Sequence, residues 1–141
     1  MALRIRGDLG RLEDLLESFH RLASPDFKAA LVVDLAEATI TLLLREFATG
    51  RDPSGKPWPP PKRGDNLPMI RTGKLMTGFS YKPGPDGFEI QNTQEYSGYL
   101  QDGTSRMAPR KMLPDDGEWP PLWRLEYEQV VEKKLFEIAF R

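Results

Sequence analysis

Gly50, Gly55 and Lys56 come closest to a recognisable chemical device. Two glycines with four residues between them, the second followed by lysine, match the opening of a phosphate-binding loop. Such a loop needs a strand before it, a helix after it with free N–H groups, and a Ser or Thr beside the lysine for magnesium. Here Pro57 follows Lys56 and has neither hydroxyl nor N–H. A helical pattern precedes the stretch, and Pro59-Pro60-Pro61 follows it. The nucleotide reading fails on each requirement, so residues 49–61 read as a stiff loop anchored by Trp58.

The remaining reactive residue types are sparse. His20 is the only histidine and has no nucleophile or orienting acid at a telling spacing. Glu13 and Glu17, like Glu128 and Glu132, stand four apart on helical patterns, as solvated faces do. Asp115-Asp116 reads as a solvated turn. No His/Asp/Glu group has metal-ligand spacing, and the absence of cysteine removes thiolate sites and disulfides. No catalytic residue, cofactor or metal is expected, and the chain does not read as an enzyme. Arg6-Gly7-Asp8 and Arg63-Gly64-Asp65 match an adhesion tripeptide that arises readily by chance. Arg51, Lys56, Lys62 and Arg63 make the proline loop basic, but Asp52 and Asp65 interrupt them. A DNA-binding module is therefore an alternative with a weak electrostatic footprint.

The whole composition sets the frame. A chain of 141 residues suits one domain, 1–141, with a modest core. A net charge of −1 points to neither nucleic acid nor membrane. No apolar run is long enough to span a bilayer. Met1–Arg6 lacks the apolar stretch of a secretory signal, so a soluble product made in the cytoplasm is expected. Twelve glycines and thirteen prolines predict long loops, some of them ordering against partners.

The elements that must position these loops follow from periodicity. Alternation of Leu3 and Ile5 with Arg4 and Arg6 predicts a strand over 2–6. Leu9, Leu12, Leu15, Leu16, Phe19 and Leu22 predict an amphipathic helix over about 8–23. Ser24-Pro25-Asp26 caps a second helix, about 25–48, that is apolar almost all round; Asp34, Glu37, Thr41 and Arg45 form its narrow polar edge. Gly50 stops it. Thr72 is placed to cap one helical turn holding Leu75 and Met76. Phe79 and Tyr81, then Phe88 and Ile90, alternate with polar residues about Pro83–Gly87, predicting a hairpin over about 78–92 that pairs with the N-terminal strand. Residues 95–103 read as a short helix or turn closed by Gly103, and Pro120-Pro121 opens a last helix over about 120–139. That helix has two apolar faces: one with Trp123, Tyr127, Val130, Val131, Leu135 and Ile138, the other with Leu125, Phe136 and Phe140. The second face is open to two readings, a partner subunit or simple burial. The fold class is α+β: a long central helix, a second N-terminal helix and a C-terminal helix on a small antiparallel sheet of N-terminal strand plus hairpin. Long loops at 49–68 and 104–119 complete it.

Four loop segments in order resemble the phage virion morphogenesis family, the tail completion or neck proteins of tailed bacteriophages. They are Phe47 through Arg51-Asp52-Pro53-Ser54-Gly55-Lys56-Pro57-Trp58; Arg71-Thr72-Gly73-Lys74-Leu75; Tyr96-Ser97-Gly98-Tyr99-Leu100-Gln101-Asp102-Gly103; and Pro109-Arg110-Lys111-Met112-Leu113. The family pattern has a D-P-x-G-x-x-W loop, a T-G-x-L turn, a Y-A-x-x-H-Q-x-G segment and a P-x-R-P loop. This chain departs from it at Ser97, where alanine is expected, at Tyr99-Leu100, where histidine is common, and after Arg110, where the usual proline is missing. The resemblance implies a structural virion protein at the head–tail junction, made in the host bacterial cytoplasm, that completes the tail or joins it to the head connector. It implies a homo-oligomeric ring, such as a hexamer or dodecamer. The implied neighbours are the head connector or adaptor and the tail tube or terminator proteins, with room for non-specific contact with channel DNA and none with membrane. A tail terminator capping the tube is the near alternative. The interface residues expected are Trp58 as apolar anchor and Arg51, Arg71 and Arg110 as polar contacts, with Tyr96, Phe136 and Phe140 beside them. For Trp58 and Tyr96, packing within the domain is the equal alternative.

Overall fold

Pro25 and Asp26 begin the first described helix, α1 (Pro25–Thr49), with the acid in its first turn facing the positive end of the helix dipole. The computed structural model describes residues 4–6, 25–59, 73–85, 87–115 and 119–139, with backbone alone for 4–6 and the last two residues of the final helix. The helix expected over 8–23 lies outside the described residues. Along α1, burial follows Phe27, Leu31, Val32, Leu35, Ala36, Thr39, Leu42, Leu43, Glu46 and Phe47, one broad stripe with helical spacing. The polar side is wider than the narrow edge expected, because Leu44 is exposed alongside Thr41 and Arg45. Two polar residues, Thr39 and Glu46, sit inside the buried stripe instead.

The sheet runs β1 (Arg4–Arg6), β3 (Gly87–Asn92), β2 (Phe79–Gly84), all antiparallel with β3 central. Ile5 pairs with Ile90, and Ile90 with Tyr81. The expected pairing of hairpin and N-terminal strand is therefore present. Phe88, Ile90 and Asn92 are buried on one side of β3, and α1 packs across β2 and β3. Ladder pairing continues to Gly84 and Gly87, leaving positions 85 and 86 between the strands. The connection is thus shorter than the Pro83–Gly87 turn expected. Pro83 belongs to β2 and is tolerated there because β2 is an edge strand.

Three short or terminal helices finish the described fold. In α2 (Lys74–Thr77) the cap is Gly73 in the left-handed region at φ 73°, with no side-chain cap. This corrects the reading of Thr72 as the cap; Thr72 itself lies outside the described residues. Asn92 Nδ2 donates to the Leu75 carbonyl at 2.8 Å and ties α2 to β3. Next, α3 (Ser97–Asp102) ends at Gly103 as expected, whose φ of 74° suits glycine. Finally, α4 (Pro121–Ala139) packs along α1. Trp123, Tyr127 and Val131 are buried, while Leu122, Leu125 and Phe136 are exposed on the opposite face. A buried bond joins the two long helices: Thr39 Oγ1 donates to the Leu35 carbonyl at 2.9 Å, so the Tyr127 hydroxyl donates to Thr39. Burial raises the Tyr127 pKa.

Candidate docking site

The first loop motif is built around the side chain of Asp52. Its Oδ1 accepts the backbone N–H of Ser54 at 2.9 Å and of Lys56 at 2.8 Å. The Asp52 carbonyl accepts from Gly55 N, and Asp52 N donates to the Lys56 carbonyl. Gly55 has φ 87°, a conformation that strains any side chain. The amides that a phosphate would need are therefore partly committed to a carboxylate of the chain itself. Arg51 pairs across the turn with Pro57 and donates through Nη1 to the Gly55 carbonyl at 2.9 Å, while remaining exposed.

Trp58 then enters the core. It is 5% exposed, packs edge-on to Phe47 at 5.3 Å, and donates from Nε1 to the Lys111 carbonyl at 2.8 Å. The burial expected of an interface anchor is made within the chain. Arg110 answers from the last motif: its Nε donates to the Pro59 carbonyl at 3.0 Å, and its backbone N–H donates to the Leu100 carbonyl at 2.7 Å. Gln101, buried in α3, completes the junction. Its Oε1 accepts from Met112 N at 2.8 Å and Leu113 N at 3.0 Å, and its Nε2 donates to the Leu113 carbonyl at 2.8 Å. The stretch 104–119 was expected to be a loop without periodicity, yet Met112 and Leu113 within it are core residues. An extended backbone read by one glutamine leaves no periodic signal.

Among the expected interface residues, Trp58 and Arg110 are thus brought to one junction, with Arg51 on the adjoining turn. Tyr96 is 42% exposed at the start of α3, and Phe136 is 64% exposed on the outer side of α4. Arg71 and Phe140 lie outside the described residues. Gln101 and Glu46 were not singled out from sequence. Gln101 stood inside a motif that could have flagged it. Glu46 is four residues past Leu42 on the buried stripe, a spacing that exposes the conflict between its charge and its position.

Glu46 is the electrostatic oddity of the site. Both carboxyl oxygens are buried without a hydrogen-bond partner. Burial, then the nearby Asp52 carboxylate, push its pKa up to about 10, against a lowering influence from the Trp123 indole. That indole does not complete a hydrogen bond to either oxygen. Glu46 is therefore a neutral acid at ordinary pH. Its carbonyl is well used, accepting Gly50 N at 2.7 Å and Arg51 N at 3.2 Å where α1 ends.

Beside this region lies a cleft of about 410 Å³. The Asp52–Ser54 turn forms one wall, Lys111 and Leu113–Asp115 a second, and Trp119–Pro121 a third. Trp119 stacks on Trp123 at 6.2 Å and meets Tyr127 edge-on at 5.0 Å, which fixes that wall to α4. Lys111 and Asp115 pair across 2.7 Å. Among the described residues no group of three or more His, Cys, Asp or Glu is placed to hold a metal ion, and no helix is long and apolar enough to cross a membrane. Comparison with family models, curated proteins and solved structures finds no match to this chain.

Proposed function

We propose that this protein is a structural component of a tailed-phage virion, acting at the head–tail junction as a neck or tail completion protein. One observation supports the reading most. Three of the four segments that carry the resemblance interlock: Trp58 with Lys111, Arg110 with Pro59, and Gln101 with Met112 and Leu113. Residues far apart in sequence act as one unit, as a family pattern spread over separate loops requires. The reading rests on the order and joining of these motifs, not on a relative of known role. The partners proposed are further copies in a ring, the head connector and the tail tube.

The DNA-binding alternative has less support. The Arg110 and Arg51 guanidinium groups each donate to a loop carbonyl, so both serve the loop's own structure. Deleting the gene and imaging the particles tests the proposal. Unjoined heads and tails are expected. Normally joined particles overturn it, and abnormally long tails reassign the protein as a tail terminator.

A further inference from the structure

Leu122, Leu125 and Phe136 are 49%, 52% and 64% exposed on the side of α4 turned away from α1. With Gln129 and Glu132, both exposed, they recur at steps of three, four, three and four. That is the spacing that lines the seam between two helices. The stripe runs from Leu122 to Phe136, about 21 Å of helix, and is apolar at both ends and polar in the middle. The polar middle selects the partner. A helix apolar along its whole length would bury Gln129 and Glu132 without hydrogen-bond partners. The helix that fits is apolar at its ends and polar at its centre, and α4 itself has that pattern.

We propose that this stripe docks on the same stripe of a second copy of the chain, the two α4 helices running antiparallel about a two-fold axis. The register that sets Leu125 against the partner's Phe136 also sets Gln129 against the partner's Glu132, an amide donor against a carboxylate acceptor. On the flank of the same register, Glu126 comes beside the partner's Lys133, and by symmetry Lys133 beside the partner's Glu126. Neither Glu126 nor Lys133 has an ion pair within the chain among the described residues. Parallel pairing would instead set Glu132 against the partner's Glu132, like charge on like. The antiparallel contact uses the same patch on both copies, so it closes at two. It is therefore a different surface from the head-to-tail contact that a ring requires, and it does not depend on the virion role proposed above.

Sedimentation of the full chain over a range of concentration tests this contact, with circular dichroism confirming that each variant folds. Phe136→Glu should weaken pairing by about tenfold or more. Glu126→Lys and Lys133→Glu should each weaken it by about tenfold, because each sets two like-charge pairs across the seam. The double variant should pair as the unmodified chain does, and a mixture of the two single variants should pair better than either alone. The chain has no cysteine, so introduced thiols report the register. Leu125→Cys mixed with Phe136→Cys should form a disulfide on mild oxidation, whereas neither variant alone should. A chain that stays monomeric up to about 1 mM, where weak contacts are populated, overturns the inference. So does association that ignores Phe136→Glu and the charge variants, or a disulfide between two copies of one single-cysteine variant. Each of these results leaves the virion role standing on another surface.

Discussion

Two buried polar side chains lie near the same junction and end differently. Gln101 meets three backbone groups of the 112–113 segment, using both ends of its amide. Glu46 meets none with its carboxyl group. The first is a bracket that gives a loop without periodicity a single conformation. The second is a neutral acid held in the core at a cost. Burial alone does not decide the sign of a polar group's contribution; the number of partners does.

The largest expected effect lies on the satisfied side. Trp58→Ala should destabilise the fold by about 3–5 kcal/mol, through the lost ring and the unpaired Lys111 carbonyl, in urea unfolding. Trp58→Phe should recover most of that loss. Gln101→Met keeps the volume but strands three backbone groups, so a loss of about 3 kcal/mol is expected. Protection of the Met112 and Leu113 amides in hydrogen exchange should fall with it. Unchanged stability in Gln101→Met would remove the contrast with Glu46.

Glu46 should behave in the opposite sense. Its folded pKa, about 10, lies above the ordinary value of 4.5. Stability is therefore fully present below the unfolded pKa and is lost as pH rises through this window toward the folded value. Glu46→Gln should stabilise the protein at about pH 8, with the gain growing as pH rises through this window and shrinking toward zero below about pH 4.5. Thermal melts of both forms across pH check the sign. The smallest effect is at Ser97, whose buried Oγ has no partner. Ser97→Ala should be neutral or stabilising by about 1 kcal/mol.

Much of the architecture was legible because it depends on local periodicity. The α1 stripe, the alternation of Phe88 and Ile90, the stops at Gly50 and Gly103 and the start of α4 each follow from spacing within a few residues. The pairing of β1 with β3 was inferred correctly because a hairpin alone does not bury its apolar face. The site was less legible. Trp58 and Tyr96 were equivalent as exposed-or-packed aromatics, and only the structure separates a ring sealed against Phe47 from one left at the surface.

The sequence by itself determined the α+β class, most element boundaries and the failure of the nucleotide reading, since Pro57 removes a hydroxyl and an N–H whatever the fold. Tertiary structure alone decided that Asp52 fills its own turn, that Arg110 and Gln101 close the loops on Trp58, and that Glu46 is left unpaired. The reason is distance along the chain. Periodicity reports which way a side chain points relative to its near neighbours. A carbonyl fifty residues away becomes its hydrogen-bond partner only when helices and strands have packed.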